Sequence, residues 1–161
     1  MTIPVEREQL DNGGDDGCKV RGLAREVING WTTGRVLKKA ESGALVIFNT
    51  AAGQSITLPA IASRDVGMWF DFLITVTGTG TYGISTSDAA TFIIGAIDSS
   101  STSVAEGGDT FVAAGTETAI LFDADTTGRL VGTSIRLTAI STTQWAVSGT
   151  MMGVGTLATP F

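Results

Sequence analysis

Histidine is absent from the 161 residues, and cysteine occurs once, at Cys18. The first absence removes the commonest general base, a common zinc ligand, and the Ser-His-Asp and Cys-His arrangements together. The second excludes an intrachain disulfide, so stability must come from the core and from partners. Aromatic residues make up 7% of the chain and charged residues 16%, against about a quarter charged in an ordinary soluble protein. Too few charges remain to cover a monomer in the usual way, and Ser and Thr take their place, which favours assembly with further subunits. No apolar run approaches the roughly 18 residues of a membrane helix. Met1 to Gln9 alternates apolar and charged residues, so no secretory leader is expected.

The formal charge is -6, unevenly spread. Met1 to Glu41 holds seven basic and seven acidic residues, whereas Ser42 to Phe161 holds three basic and nine acidic. An acidic body repels phosphate, and no basic cluster with interleaved aromatics occurs, so neither nucleic acid nor an anionic membrane is expected as a partner.

What the chain does have is alternation. In Gly43 to Thr77 two apolar runs are joined by a short polar segment, and Phe70, Phe72, Ile74 and Val76 recur every second residue. Period two is the pattern of a strand, and this set is the foremost candidate for the core, with Trp69, Leu73 and Thr75 on the opposite face. An exposed Trp and Leu would be costly in a monomer, so that second face is expected to be covered, and Trp69 and Leu73 are the candidate subunit-interface residues. Trp31 and Trp145 are open to the same two readings, contact anchor or core.

Candidate strands lie at Arg35 to Ala40, Ala44 to Phe48, Ser55 to Leu58 before Pro59, Met68 to Thr77, and Thr81 to Thr86 as the hairpin partner of the last across Gly78-Thr79-Gly80. Others lie at Phe92 to Ile97, Thr110 to Ala114, Thr118 to Asp123, Leu130 to Ile140 and around Trp145 and Val147. Asp98 to Asp109 reads as an exposed loop, and Met151 to Phe161 as a tail that packs without extending the sheet. No repeat of fixed period is evident, which argues against a solenoid. The fold class is all-β, a β-sandwich or jelly-roll-like single domain over residues 31–161 with an N-terminal arm over residues 1–30. In the arm, Val20, Leu23, Ala24, Val27 and Ile28 fall at helical spacing, while an extended arm that adds a strand elsewhere is the competing reading.

Little chemistry is on offer. Asp65 with Asp71, or Asp123 with Asp125, is a carboxylate pair of the kind that flanks a glycosidic bond, but no aromatic platforms accompany either. Asp123-Ala124-Asp125 ahead of Gly128 lacks the remaining ligands of a calcium loop and reads as turn chemistry. Gly78-Thr79-Gly80 has no following helix to make a phosphate site. The chain is read as no enzyme, with no cofactor and no metal.

The stretch ALVIFNTAAGQSITLPAI leading into VGMWFDFLITV, followed by small Thr- and Gly-rich strands over roughly Ala44 to Val147, resembles the structural proteins of tailed bacteriophages. Capsid decoration, or cement, proteins are the nearer kind, and the β-rich domains of tail fibres the second. The resemblance implies a homo-oligomer, commonly a trimer, on the capsid exterior of a virion, made in the host cytoplasm and bridging copies of the major capsid protein. On that reading Arg7, Lys19, Arg21 and Arg25 of the arm are the candidate partner contacts. The alternative is a tail fibre or spike component that binds a host receptor or glycan.

Overall fold

The computed structural model describes residues 25–103 and 107–161. It contains eleven strands: β1 Val27–Ile28, β2 Gly34–Val36, β3 Leu45–Phe48, β4 Gln54–Thr57, β5 Trp69–Ile74, β6 Tyr82–Ser85, β7 Phe92–Ser101, β8 Thr110–Glu117, β9 Ala119–Phe122, β10 Ser134–Ser141 and β11 Gln144–Gly153. Helix among the described residues is confined to one-turn 3-10 segments at Lys39–Glu41, Ser63–Asp65 and Asp125–Thr127. The protein is all-β, with a large sheet in the order β1-β3-β5-β10-β11-β7-β8 and a small one in the order β2-β4-β6-β9.

The first six strands alternate between the two sheets. Consecutive strands never pair with each other; instead β1, β3 and β5 stack in parallel in the large sheet while β2, β4 and β6 do so in the small one. Parallel neighbours need a long crossover, and here each crossover contains a strand of the opposite sheet. The chain therefore winds as a coil, contrary to the expectation drawn from the missing repeat. The period is hidden because the turns lengthen: Val27 pairs with Leu45 and Leu45 with Asp71, while Gly34 pairs with Ser55 and Ser55 with Gly83. The last five strands behave differently. β7 with β8 and β10 with β11 are antiparallel hairpins of the large sheet, and β9 closes the small sheet against β6.

Buried side chains from both sheets form one cluster. Phe70, Phe72 and Ile74 are almost wholly buried, as their alternation predicts, and contribute about 5 to 9 kcal/mol together. Val76 does not join them. The strand ends at Ile74, Thr75 makes a last bond to Phe48, and Val76 is 36% exposed. Phe48 links the sheets, its ring lying 5.2 Å from Tyr82, 6.2 Å from Phe72 and 5.7 Å from Trp31. Tyr82 donates its hydroxyl to the Val76 carbonyl at 2.7 Å, and burial raises its pKa. Trp145 is a core residue with no exposure, tilted against Phe70.

Two further expectations change, and one open reading is decided. Thr81 to Thr86 is not the hairpin partner of β5: Thr79 and Gly80 donate to the Ala51 carbonyl, and the chain crosses into the small sheet. Gly80 is required there because a Cβ would stand 2.0 Å from the Ala52 carbonyl oxygen. Asp98 to Ser101, read as loop, continues β7, because the buried Ser99 hydroxyl bonds both the carbonyl and the N–H of Asp109. Of the two readings of Val27 and Ile28, the end of a helix or part of an extended arm, the second holds: they form an edge strand on β3, so the arm as drawn ends inside the large sheet. Val20, Leu23 and Ala24 lie outside the described residues.

Gln54, also buried, ties successive turns of the coil together. Its carbonyl oxygen accepts from the N–H groups of Asn49 and Thr50, and its amide nitrogen donates to the Trp31 carbonyl at 2.6 Å. The tail expected from Met151 begins only after Gly153, because Met151 to Gly153 extend β11 along Ser99 to Ser101; beyond it the Pro160 carbonyl accepts from Leu121 N–H at 2.7 Å along β9.

Candidate functional site

Alternation along β5 that sends Phe70 and Phe72 inward sends Trp69, Asp71 and Leu73 to the outer face of the large sheet, each half-buried. Asp71 stands directly opposite Arg136 of β10 and beside Leu45 of β3. Its carboxylate accepts from Arg136 Nε at 2.7 Å and Nη2 at 2.9 Å, the two-pronged geometry a guanidinium is shaped for, and from Nη1 of Arg25. Hydrogen bonding to Arg136 holds the Asp71 carboxyl below its usual pKa, burial works against this, and Arg25 adds to the lowering. Asp71 in turn raises the pKa of Arg136.

The Arg136 guanidinium also lies over the Trp69 ring, 4.2 Å from its centroid. The indole also passes close to Gly43, where a Cβ would stand 3.5 Å from the ring. Trp69 is thus partly covered by neighbours in its own sheet. A cation over the indole face is attracted by the ring quadrupole, and pairing with Asp71 fixes its position.

Beside Trp69 lies a second charged group. Asp65 accepts from Lys39 Nζ and from the Ala62 N–H at 2.9 Å, and these two bonds, in that order, lower its pKa. A cleft lined by Lys39, Ser42, Arg64, Asp65 and Trp69 separates the groups, and a larger one of about 460 Å³ opens between Arg25, Leu73, Ser134, Arg136 and Ser148.

The interface candidates Trp69 and Leu73 therefore share one face with Arg25, the one arm candidate among the described residues. Arg7, Lys19 and Arg21 lie outside them. Arg136 was missed by sequence reasoning. The alternation of Ser134, Arg136 and Thr138 shows which way it points, but only the pairing of β10 with β5 puts it on Asp71 and Trp69.

Each carboxylate of the two sequence pairs has partners of its own. Asp65, Asp71 and Asp125 are each held by a cation, the last by Arg129, and Asp123 accepts from the Thr127 hydroxyl, which itself accepts from two backbone N–H groups of the turn. Gly128 completes that turn at φ 92°. What the outer face offers is an aromatic ring and two guanidinium groups, the residue types that anchor protein contacts, with a leucine beside them. No family model matches the chain, and no match was found among curated proteins or among solved structures.

Proposed function

We propose that this chain is a structural protein of a tailed-bacteriophage virion, a decoration or cement protein that binds the outside of the head and bridges neighbouring copies of the major capsid protein. It acts as a homo-oligomer, a trimer by the resemblance, and its work is mechanical. Each copy supplies one modest contact, and several copies on a symmetric shell hold together far longer than one would. The observation that carries the reading is the outer face of the large sheet, where Trp69, Leu73, Arg25 and Arg136 gather beside the point at which the arm enters.

We also infer that the two sheets form a β-sandwich. A jelly roll is built from antiparallel strands, whereas five pairings among the described residues are parallel, so the sandwich is the reading kept.

Deletion of residues 1–17 tests the proposal. The shortened chain is expected to remain folded and oligomeric and to leave purified heads undecorated. Decoration at full-length occupancy would overturn the role of the arm. Labelled-antibody imaging of particles tests the location: many copies over the head are expected, while a few at the tail tip would favour the fibre reading.

A further inference from the structure

Two sheets have four edges, and three of them are shielded. β1 is two residues long and β2 three. β9 is covered by the tail through the bond from Leu121 to Pro160. The fourth, β8, runs for eight residues with no Pro, Lys or Arg and pairs, among the described residues, only with β7, and Val112 at its middle is 69% exposed. Long unshielded edges invite another chain, and proteins ordinarily blunt them with short strands, Lys, Pro or bulges.

The phase of the ladder fixes which groups are free. Ser99 N–H donates to the Asp109 carbonyl at 2.7 Å, so bonding to β7 passes through Asp109, Phe111 and Ala113. Thr110, Val112 and Ala114 then turn their N–H and C=O groups to the open side. Beyond Ala114 the strand bulges at Gly115 and Thr116, whose N–H groups the Glu117 carboxylate takes, and that carboxylate also lies against the Ala114 N–H. The open stretch is therefore Thr110 to Ala114.

We propose that this edge pairs with the same edge of a second copy, antiparallel, about a two-fold axis at Val112. The chemistry of the segment selects a copy of itself. No charge lies between Asp109 and Glu117, and an axis at Val112 sets Thr110 against Ala114 and Phe111 against Ala113, so the paired stretch ends at the bulge and holds no charged side chain. An axis one residue further on, at Ala113, would present the wrong backbone groups. At the Val112 axis the two valines exchange both backbone bonds, and each Thr110 N–H reaches the partner's Ala114 carbonyl. The half-buried Phe111 gains cover on the inner face. The contact goes beyond the virion proposal and stands without it: a trimer formed on another face would be joined to its neighbour through β8.

The test needs no capsid. Directly opposed residues of a bonded antiparallel pair have Cα atoms about 5.5 Å apart, within disulfide range. Val112→Cys in the full chain that keeps Cys18, oxidised and mapped by mass spectrometry, is expected to give a 112 to 112 cross-link between copies. Leu121→Cys, exposed on the small sheet, is the control and is expected to give little. Light scattering on Val112→Lys is expected to give half the mass of the wild type. The proposal fails if the main cross-link joins 112 to 18, which would mean that a neighbour's arm occupies the edge. It also fails if Val112→Cys links no faster than Leu121→Cys, or if Val112→Lys keeps the wild-type mass. Because Val112 is exposed, neither substitution endangers the fold.

Discussion

β1 to β6 and β7 to β11 are built by different rules. In the first region a strand's partners lie a full turn of the coil away, so no pair forms until the intervening strand of the other sheet is placed. In the second, two hairpins bring neighbours in sequence together. The regions meet at two antiparallel seams, β5 on β10 and β6 on β9. The difference teaches where the fold is cooperative by necessity. A hairpin can form locally, whereas a coil pays loop-closure entropy before any rung is rewarded.

Phe48→Ala should have the largest effect, because the ring, on the middle turn of the coil, touches aromatic side chains of the turns on either side. A loss of about 4 kcal/mol is expected by chemical denaturation. If hydrogen exchange then showed β10 and β11 keeping their protection while β1 to β6 opened, the two regions would unfold separately. A common loss would show that the seams bind them into one unit. Next comes Gly80→Ala, at which the new methyl group meets a backbone carbonyl that cannot rotate away; about 3 kcal/mol is expected from overpacking. The contrasting position is Gly115 in the β8 bulge, at φ 89° but with only an Ile94 methyl at 3.5 Å, so Gly115→Ala should cost about 1 kcal/mol from backbone conformation. Equal losses at the two glycines would remove the distinction between a crowded coil and an open hairpin.

The smallest effect is expected at the seam itself. A double-mutant cycle between Asp71 and Arg136 should return about 0.5 to 1 kcal/mol, since the pair is partly open to solvent. The sign with pH follows from the lowered Asp71 pKa. Its contribution is complete above the unfolded value near 3.8 and is lost as the pH falls through the lower folded value. Acid titration of Asp71→Asn should lack that part of the fall, and an unchanged acid limb would exclude the pair as a stabiliser of the seam.

Local pattern was enough to find most strands. β5 announces itself through Phe70, Phe72 and Ile74, and the turn at Asp123 to Gly128 through its Asp and Gly. Partnership was not legible. Gly78-Thr79-Gly80 has the composition of a hairpin turn whether the chain folds back or crosses to another sheet, and only contact with Ala51 and Ala52 decides. Asp98 to Ser101 looked like loop because its strand is sustained by the Ser99 hydroxyl and not by apolar burial. Val27 and Ile28 fit a helical stripe and a strand equally well, and the open edge of β3 settles them. In the candidate site, Trp69 and Leu73 could be placed on the outer face from period two alone. Arg136 could not be joined to them, since nothing in either segment encodes that β5 and β10 lie side by side.

The lengthening turns of the coil matter for anyone wishing to graft foreign sequence into this protein. Between Leu45 and its partner Asp71 the chain takes a longer path than between Val27 and Leu45, yet the strands stack alike, and the excess is absorbed in the connection from Pro59 to Gly67. Since doubling a flexible loop costs only about 0.6 kcal/mol, an epitope inserted beside the exposed Arg64 should leave the rungs in place. Because Arg64 lines the cleft beside Trp69, such an insert would also cover the candidate contact face, and displayed peptide and capsid contact would compete there.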